Sequence, residues 1–323
     1  MGVAGESEGS FAARLIHICG GAADKRDVAA ILELRTHYRE RAAKTLGQLP
    51  PFSPILNQLL ADLANENVSY AKLSDLIEKD TVIAGNVLRL VNSGLYGRRG
   101  VINSVRNAVA LLGLNKLRNT VLGMSVSRMW SQLKIAEGFS AKRLNLHSVA
   151  TAVLADQLAG VLPVHYPEGA FLAGLFHDLG KMLIAVGMSE EYGHIQYRYK
   201  VSDASYRDCE QEILGLTHEE LSAVAVANWN LPEPIQTAVL LHHRPTADVP
   251  VMGSAANVIP LSHIIAAASH QANLMGISVQ EKLRACDLES KSTLDSLGLA
   301  EEHGEAVLAE FDVEYKTITG FFH

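Results

Sequence analysis

Cysteine is scarce in this sequence. Three cysteines occur in 323 residues, Cys19, Cys209 and Cys286, and no two share a Cys-x-x-Cys spacing. That excludes a disulfide framework and a cysteine-ligated zinc site. Positive charge is also in deficit: 28 Lys and Arg stand against 35 Asp and Glu, a formal charge of −7. A chain of that sign is not drawn to phosphate backbones overall, so no nucleic-acid partner is expected. Continuous apolar runs of membrane length are missing as well. The weakly charged stretch from Val249 to Ala272 is broken by Pro250, Gly253, Pro260 and two histidines, which speaks against a membrane span. The start, MGVAGESEGS, has neither a basic opening nor an apolar core, so it does not read as a signal peptide. The expected compartment is the reducing cytoplasm.

What is present is a globular composition, 48% hydrophobic and 20% charged, in a chain long enough to bury a large core without cross-links. Helical spacing dominates throughout. The first ten residues are small and polar and are expected to be disordered; a helix follows over 27–44, rich in arginine toward its end. Prolines in LPPFSP, Leu49 to Pro54, stop it. The periodicity then predicts helices over 54–65, 70–79 (with Ser69 as N-cap), 81–92, 103–112 and 114–130, with a glycine turn at NSGLYG between the third and fourth. In the second half it predicts 142–160, 168–186, 203–213, 217–229, 233–243, 256–274 and a tail helix near 300–318. No strand signal competes, and the fold class is all-α, in two helical lobes.

The residues that could carry chemistry centre on His177-Asp178 in FLAGLFHDLGKMLIA, where nearly every other side chain is apolar or glycine. A buried carboxylate costs several kcal/mol or more unless something compensates it. Two compensations fit: Lys181, three residues on, as a simple ion pair, or a metal held by His177 and Asp178 together. Other histidines bear on the choice. His147 shares a face with Leu144, Ala150, Thr151 and Leu154. Thr217-x-x-Glu220 has the form of a capping box, which places His218 in the first turn of a helix. His242 aligns with Ile235, Ala238 and Val239, His243 lies beside it, and His263 aligns with Ile259, Ala266, Ala267 and His270. Imidazoles and a carboxylate drawn from several helices form a ligand set for one or two divalent ions, iron, manganese or zinc, and such a site could hydrolyse phosphate esters. Lys116 to Arg118 and Arg98-Arg99 read as solvated helix ends, and Trp130 and Trp229 as anchors in the core or between lobes.

These residues carry a resemblance. FHDLGK at Phe176 to Lys181, with His147 upstream and His218 and LLHH at Leu240 to His243 downstream, is similar to the HD superfamily of metal-dependent phosphohydrolases. The segment from Ile77 to Leu122, IEKDTVIAGNVLRLVNSGLYGRRGVINSVRNAVALLGLNKLRNTVL, resembles the N-terminal lobe of the HDOD family, the HD-related output domain of bacterial signalling proteins.

The resemblance implies a division into 1–46, a disordered start and helical extension; 47–275, an HDOD domain with lobes at about 47–135 and 140–275; and 276–323, a helical tail. It implies a signal-transduction module acting by contacts with partner proteins, usually non-catalytic, with homodimer formation open. His147, His177, Asp178, Lys181, His218, His242 and His243 match positions that ligate metal or touch substrate in HD-GYP phosphodiesterases. The late aspartate ligand of HD enzymes falls at His263. Arg244-Pro245 follows His243 where HD-GYP proteins carry glutamate, and no Gly-Tyr-Pro occurs. The alternative is a metal-dependent phosphohydrolase acting on a nucleotide or cyclic dinucleotide, with Lys181 neutralising a phosphoryl oxygen.

Overall fold

Short polar side chains write the helix starts of this chain. Asp80 accepts from the amides of Val82 and Ile83, both at 3.1 Å, while Ser104, Ser140 and Ser205 each accept from the amide three residues on. Each such cap satisfies a donor that the first helical turn leaves open and stabilises by about 1 kcal/mol. The structure is a computed structural model, and it describes residues 25–50, 54–62, 70–92, 101–248, 258–288 and 293–320. The disordered start, the Ser69 cap, the NSGLYG turn beyond Asn92 and Arg98-Arg99 all lie outside them.

Helix α1 spans Lys25–Gln48. The N-terminal group follows: α2 (Pro54–Asp62), α3 (Tyr70–Lys79), α4 (Thr81–Val91), α5 (Val105–Leu112) and α6 (Leu114–Trp130). Helices α3, α4 and α5 pack on one another and α6 closes the group from below. The buried stripe of α4, Ile83, Val87, Leu90 and Val91, has helical spacing. Asn92 then exchanges two 2.8 Å hydrogen bonds with the backbone of Ile102, pinning the two ends of the connection between α4 and α5. Gly113, at φ +79°, turns α5 directly into α6.

The second group is built around α7 (Ala141–Val161), which packs against α8 (Ala170–Phe176), α14 (Leu261–Leu274) and α16 (Glu301–Thr319). Between these in the chain come α9 (Leu179–Gly187), α10 (Ser189–Val201), α11 (Tyr206–Leu214), α12 (His218–Asn228) and α13 (Glu233–Leu241), with the short α15 (Ala285–Leu288) after α14. Helices α6 and α16 join the two groups. Among the described residues the sole strand-like pairing is the bridge between Val164 and Ile259, so the fold is all-α.

Three differences from the sequence reading have physical causes. The helix expected over 168–186 is two helices, because the chain breaks at His177-Asp178. There the amide of Gly180 donates to Ser222 Oγ at 2.7 Å instead of continuing the ladder. Helix α10 is an element that periodicity missed: in its polar run only Tyr192, Ile195 and Tyr199 are buried. Lys116 is not a freely solvated end, since it pairs with Glu314 at 3.3 Å and Glu310 at 3.7 Å on α16.

The stretch Pro167–Gly187 is apolar enough to cross a membrane by length and composition, yet 89% of its most apolar window is buried inside the protein. All seven residues of α8 are buried. A helix covered on all sides is core material.

Candidate metal centre

The break between α8 and α9 turns His177 and Asp178 into the middle of the second group, where both are essentially inaccessible, 0% and 1% exposed. Two glycines permit it. A Cβ at Gly174 would stand 2.6 Å from Ala152 Cα on α7, and one at Gly180 would stand 2.0 Å from the carbonyl oxygen of His218. Helices α8 and α9 therefore approach α7 and the start of α12 at backbone contact.

The carboxylate of Asp178 is the hub. Its Oδ2 accepts from Lys181 Nζ at 2.8 Å and lies 3.5 Å from His177 Nε2 and 3.6 Å from His147 Nε2. Its Oδ1 lies 3.2 Å from His218 Nε2 and 3.9 Å from His242 Nε2. Of the two compensations weighed from the sequence, the Lys181 ion pair is formed, and the rings that a metal would need converge on the same carboxylate.

Ring orientation is fixed from behind. His147 Nδ1 contacts the carbonyl of Ile277 at 2.8 Å, His177 Nδ1 that of Gly174 at 2.8 Å, and His242 Nδ1 that of Val239 at 2.7 Å. A carbonyl can only accept, so each Nδ1 carries the hydrogen and each Nε2 turns a bare lone pair toward Asp178. Nε2 of His177 and of His242 is buried without any hydrogen-bond partner. Burial pushes all three imidazoles down, that of His242 to about 4, against the pull of Asp178, so they stay neutral. Burial would raise Asp178, but the Lys181 ammonium and the charged His218 ring outweigh it and hold the carboxyl well below its ordinary range. Neutral imidazoles, an ionised carboxylate, backbone-fixed tautomers and orphaned lone pairs are the donor set of a divalent metal site. The residues present fit such an ion.

His218 differs from the other three. Its Nδ1 and its amide both meet Glu210 Oε2, at 2.6 and 2.9 Å, and Glu219, held by Arg207 at 2.6 Å, lies 3.7 Å from the same nitrogen. Burial opposes its charge, but Glu210 prevails and raises His218 to about 9. Its Nε2 lies 3.0 Å from Nε2 of His243, which stands at the solvent side. The capping box at Thr217 and Glu220 is formed as expected.

Six of the seven expected ligands, His147, His177, Asp178, His218, His242 and His243, converge. His263 does not. It is half-buried beside Ser262 and feels Asp248, away from the cluster. The α14 residue that does face the cluster is Ser269, with Oγ 3.3 Å from His147 Nε2. Sequence reasoning also missed Glu210, Glu219, Arg207 and the carbonyl of Ile277. The segment after α14, placed in the tail from the sequence, lines the cleft above Asp178 and Lys181 with Ser278, Gln280 and Asp287. Asp287 fastens it by accepting from Tyr199 Oη at 2.6 Å and the amide of Tyr206 at 3.0 Å.

Comparison with known proteins agrees with this architecture. An uncharacterised protein of Treponema pallidum (strain Nichols) is 22% identical over 226 residues, 66% of this chain and 41% of that protein; the chain spans about two fifths of that relative's length. Among solved structures, an HDOD domain protein of unknown function from Geobacter sulfurreducens superposes with a TM-score of 0.69 at 23% identity, covering 88% of this chain and 98% of that one. A protein from Shewanella amazonensis SB2B, provisionally assigned as a phosphohydrolase, gives 0.65 at 21%, with 88% and 98% covered. Likeness at these identities is likeness of fold. The HDOD domain family model matches residues 49–245, well over half of the chain and the whole run from α2 through α13 to His242 and His243, which follow it. With that match resting on the same helices that assemble the cluster, the chain belongs to the HDOD domain family.

Proposed function

We propose that this protein is a signal-transduction module of the HDOD type that binds one divalent metal ion in its HD-like pocket and works through contacts with partner proteins. The observation that carries the metal is the set of Nε2 lone pairs of His147, His177 and His242, each fixed by a backbone carbonyl behind it and aimed at Asp178. Asp178 would hold the ion together with His147 and His177, or with His242 beside His218 and His243, the two groups of donors that meet at its carboxylate. Iron, manganese and zinc all suit the donors.

A bound ion would supply Lewis acidity. The chain's own contribution is orientation and charge: Lys181 neutralises Asp178 from the cleft side, and Ser269 of α14 stands next to His147. Arg244 after His243 and the absence of a Gly-Tyr-Pro turn favour a signalling role over hydrolysis. A second reading, hydrolysis of a nucleotide or cyclic dinucleotide, draws on Lys181 and His218, two cationic groups that line the same cleft.

Metal analysis of protein purified without chelator, together with a phosphoester hydrolysis panel, tests both readings. The expected result is about one ion per chain, lost in His177→Ala, without turnover. Turnover abolished by His177→Ala would replace the signalling reading with the hydrolytic one, and protein free of metal that takes up none on titration would refute the metal site.

A further inference from the structure

Helix α1 lies against α9, α11 and α12, which carry or begin at Lys181, Glu210 and His218. Its contacts are specific. Arg35, 6% exposed, donates through Nη1 to the carbonyl of Gly215 at 2.9 Å and through Nη2 to Glu220 Oε1. The other oxygen of that carboxylate, Oε2, accepts from the amide of Thr217 at 3.0 Å and completes the capping box of α12. Gly215, at φ +68°, is the turn residue that ends α11. One guanidinium therefore grips both sides of the short link Gly215-Leu216-Thr217-His218.

That link decides where His218 points, because Glu210 on α11 binds both the ring and the amide of His218 across it. Further along α1, Arg41 binds Glu191 and donates to the carbonyl of Gly187 at 3.0 Å. Thr45 packs so closely on Gly187 that a Cβ there would meet its Oγ1 at 2.0 Å. The helix is thus seated at the far end of α9 as well as at the start of α12.

We propose that Arg35 is a positioning residue for the metal pocket, and that α1 is the arm through which the N-terminal part of the chain sets the orientation of His218. The proposal rests on the metal reading above for its affinity readout, and on His218 geometry alone for its second readout. Undocking α1 removes the fork that holds Gly215 and Glu220 together, the ring of His218 loses its fixed place, and Asp178, which would ligate the ion, loses the 3.2 Å contact that holds its Oδ1. A lysine at position 35 presents a point charge that cannot hold both acceptors in the fork geometry.

The test uses the full chain, stripped of metal, with Mn²⁺ titrated calorimetrically into wild type, Arg35→Ala, Arg35→Lys, Glu220→Gln and the distant control Lys316→Ala, alongside nitrogen-15 spectra of the histidine rings at one fixed pH. The expected result is at least about tenfold weaker Mn²⁺ binding in Arg35→Ala and Glu220→Gln, incomplete recovery in Arg35→Lys, wild-type binding in the control, and displaced His218 ring signals in the two weakened variants. Wild-type affinity and unmoved His218 signals in Arg35→Ala overturn the proposal. If that variant does not fold, Glu220→Gln decides. If wild type binds neither Mn²⁺ nor Zn²⁺ nor Fe²⁺ in parallel titrations, the metal reading falls, and the ring signals alone decide the positioning role.

Discussion

Gly180 and His218 meet backbone to backbone: a Cβ on Gly180 would lie 2.0 Å from the His218 carbonyl oxygen, while the Gly180 amide donates to Ser222 Oγ one turn further along α12. The carbonyl belongs to main chain and cannot swing away as a flexible side chain would. Gly180→Ala is therefore expected to destabilise the fold by about 1–3 kcal/mol through overpacking and to separate Asp178 from His218. Urea unfolding measures it; a midpoint equal to that of wild type would show that α9 and α12 are not in such contact.

Metal removal should be visible as stability. An ion that binds only the folded chain adds about 2.7 kcal/mol when present at a hundred times its dissociation constant. Chelation is expected to lower the melting temperature of wild-type protein and Mn²⁺ to restore it. His177→Ala should melt at the same temperature with or without chelator.

Asp156 gives a pH dependence away from the metal pocket. Burial, with help from Glu314, raises its carboxyl from 3.8 to about 6, against Asn119 and Arg118. A group with a raised folded-state value stabilises the fold fully below its unfolded value, and that contribution is lost as the pH climbs through about 6. Asp156→Asn escapes the loss. The variant should match wild type near pH 3.5 and exceed it by about 1–2 kcal/mol at pH 7, the full linkage value being reduced because the side chain is partly solvated. Equal differences between the two proteins at both pH values would rule this out.

The C-terminal helix should be part of the cooperative unit. Phe311 on α16 is 1% exposed and stacks on Tyr315 with centroids 5.2 Å apart. Phe311→Ala is expected to cost about 3–5 kcal/mol in thermal or denaturant unfolding. A loss below about 1 kcal/mol would mean that α16 contributes little to the packing of α7.

Much of the site was legible because it obeys helical arithmetic. His147 and His242 sit on faces whose other members are apolar, and the capping box announced where α12 begins and so placed His218 in its first turn. His263 entered the ligand set because the late aspartate of HD enzymes falls there; the α14 side chain that meets His147 is Ser269, six positions on, along a face that also carries Ser262, Ile265 and Ala272. Small polar residues mark that face, and hydrophobic periodicity gives them little weight. Glu210 was hidden in a largely polar helix whose buried apolar members are Tyr206, Cys209 and Leu214. The carbonyls that orient the imidazoles have no sequence signature, since every residue owns one. In the fold, the break at His177-Asp178 was invisible to a pattern that is apolar on both sides of it.

The carbonyl of Ile277 and the anchoring carboxylate of Asp287 both lie beyond residue 245, where the family match stops. A fragment cut to the matched boundaries would carry every converging histidine and still lack the carbonyl that orients the His147 ring, the roof of the cleft, and helices α14 and α16 that pack on α7. Studies of metal uptake in proteins of this type need expression boundaries drawn past the last segment that touches the histidines, since a minimal fragment can look metal-free through truncation alone.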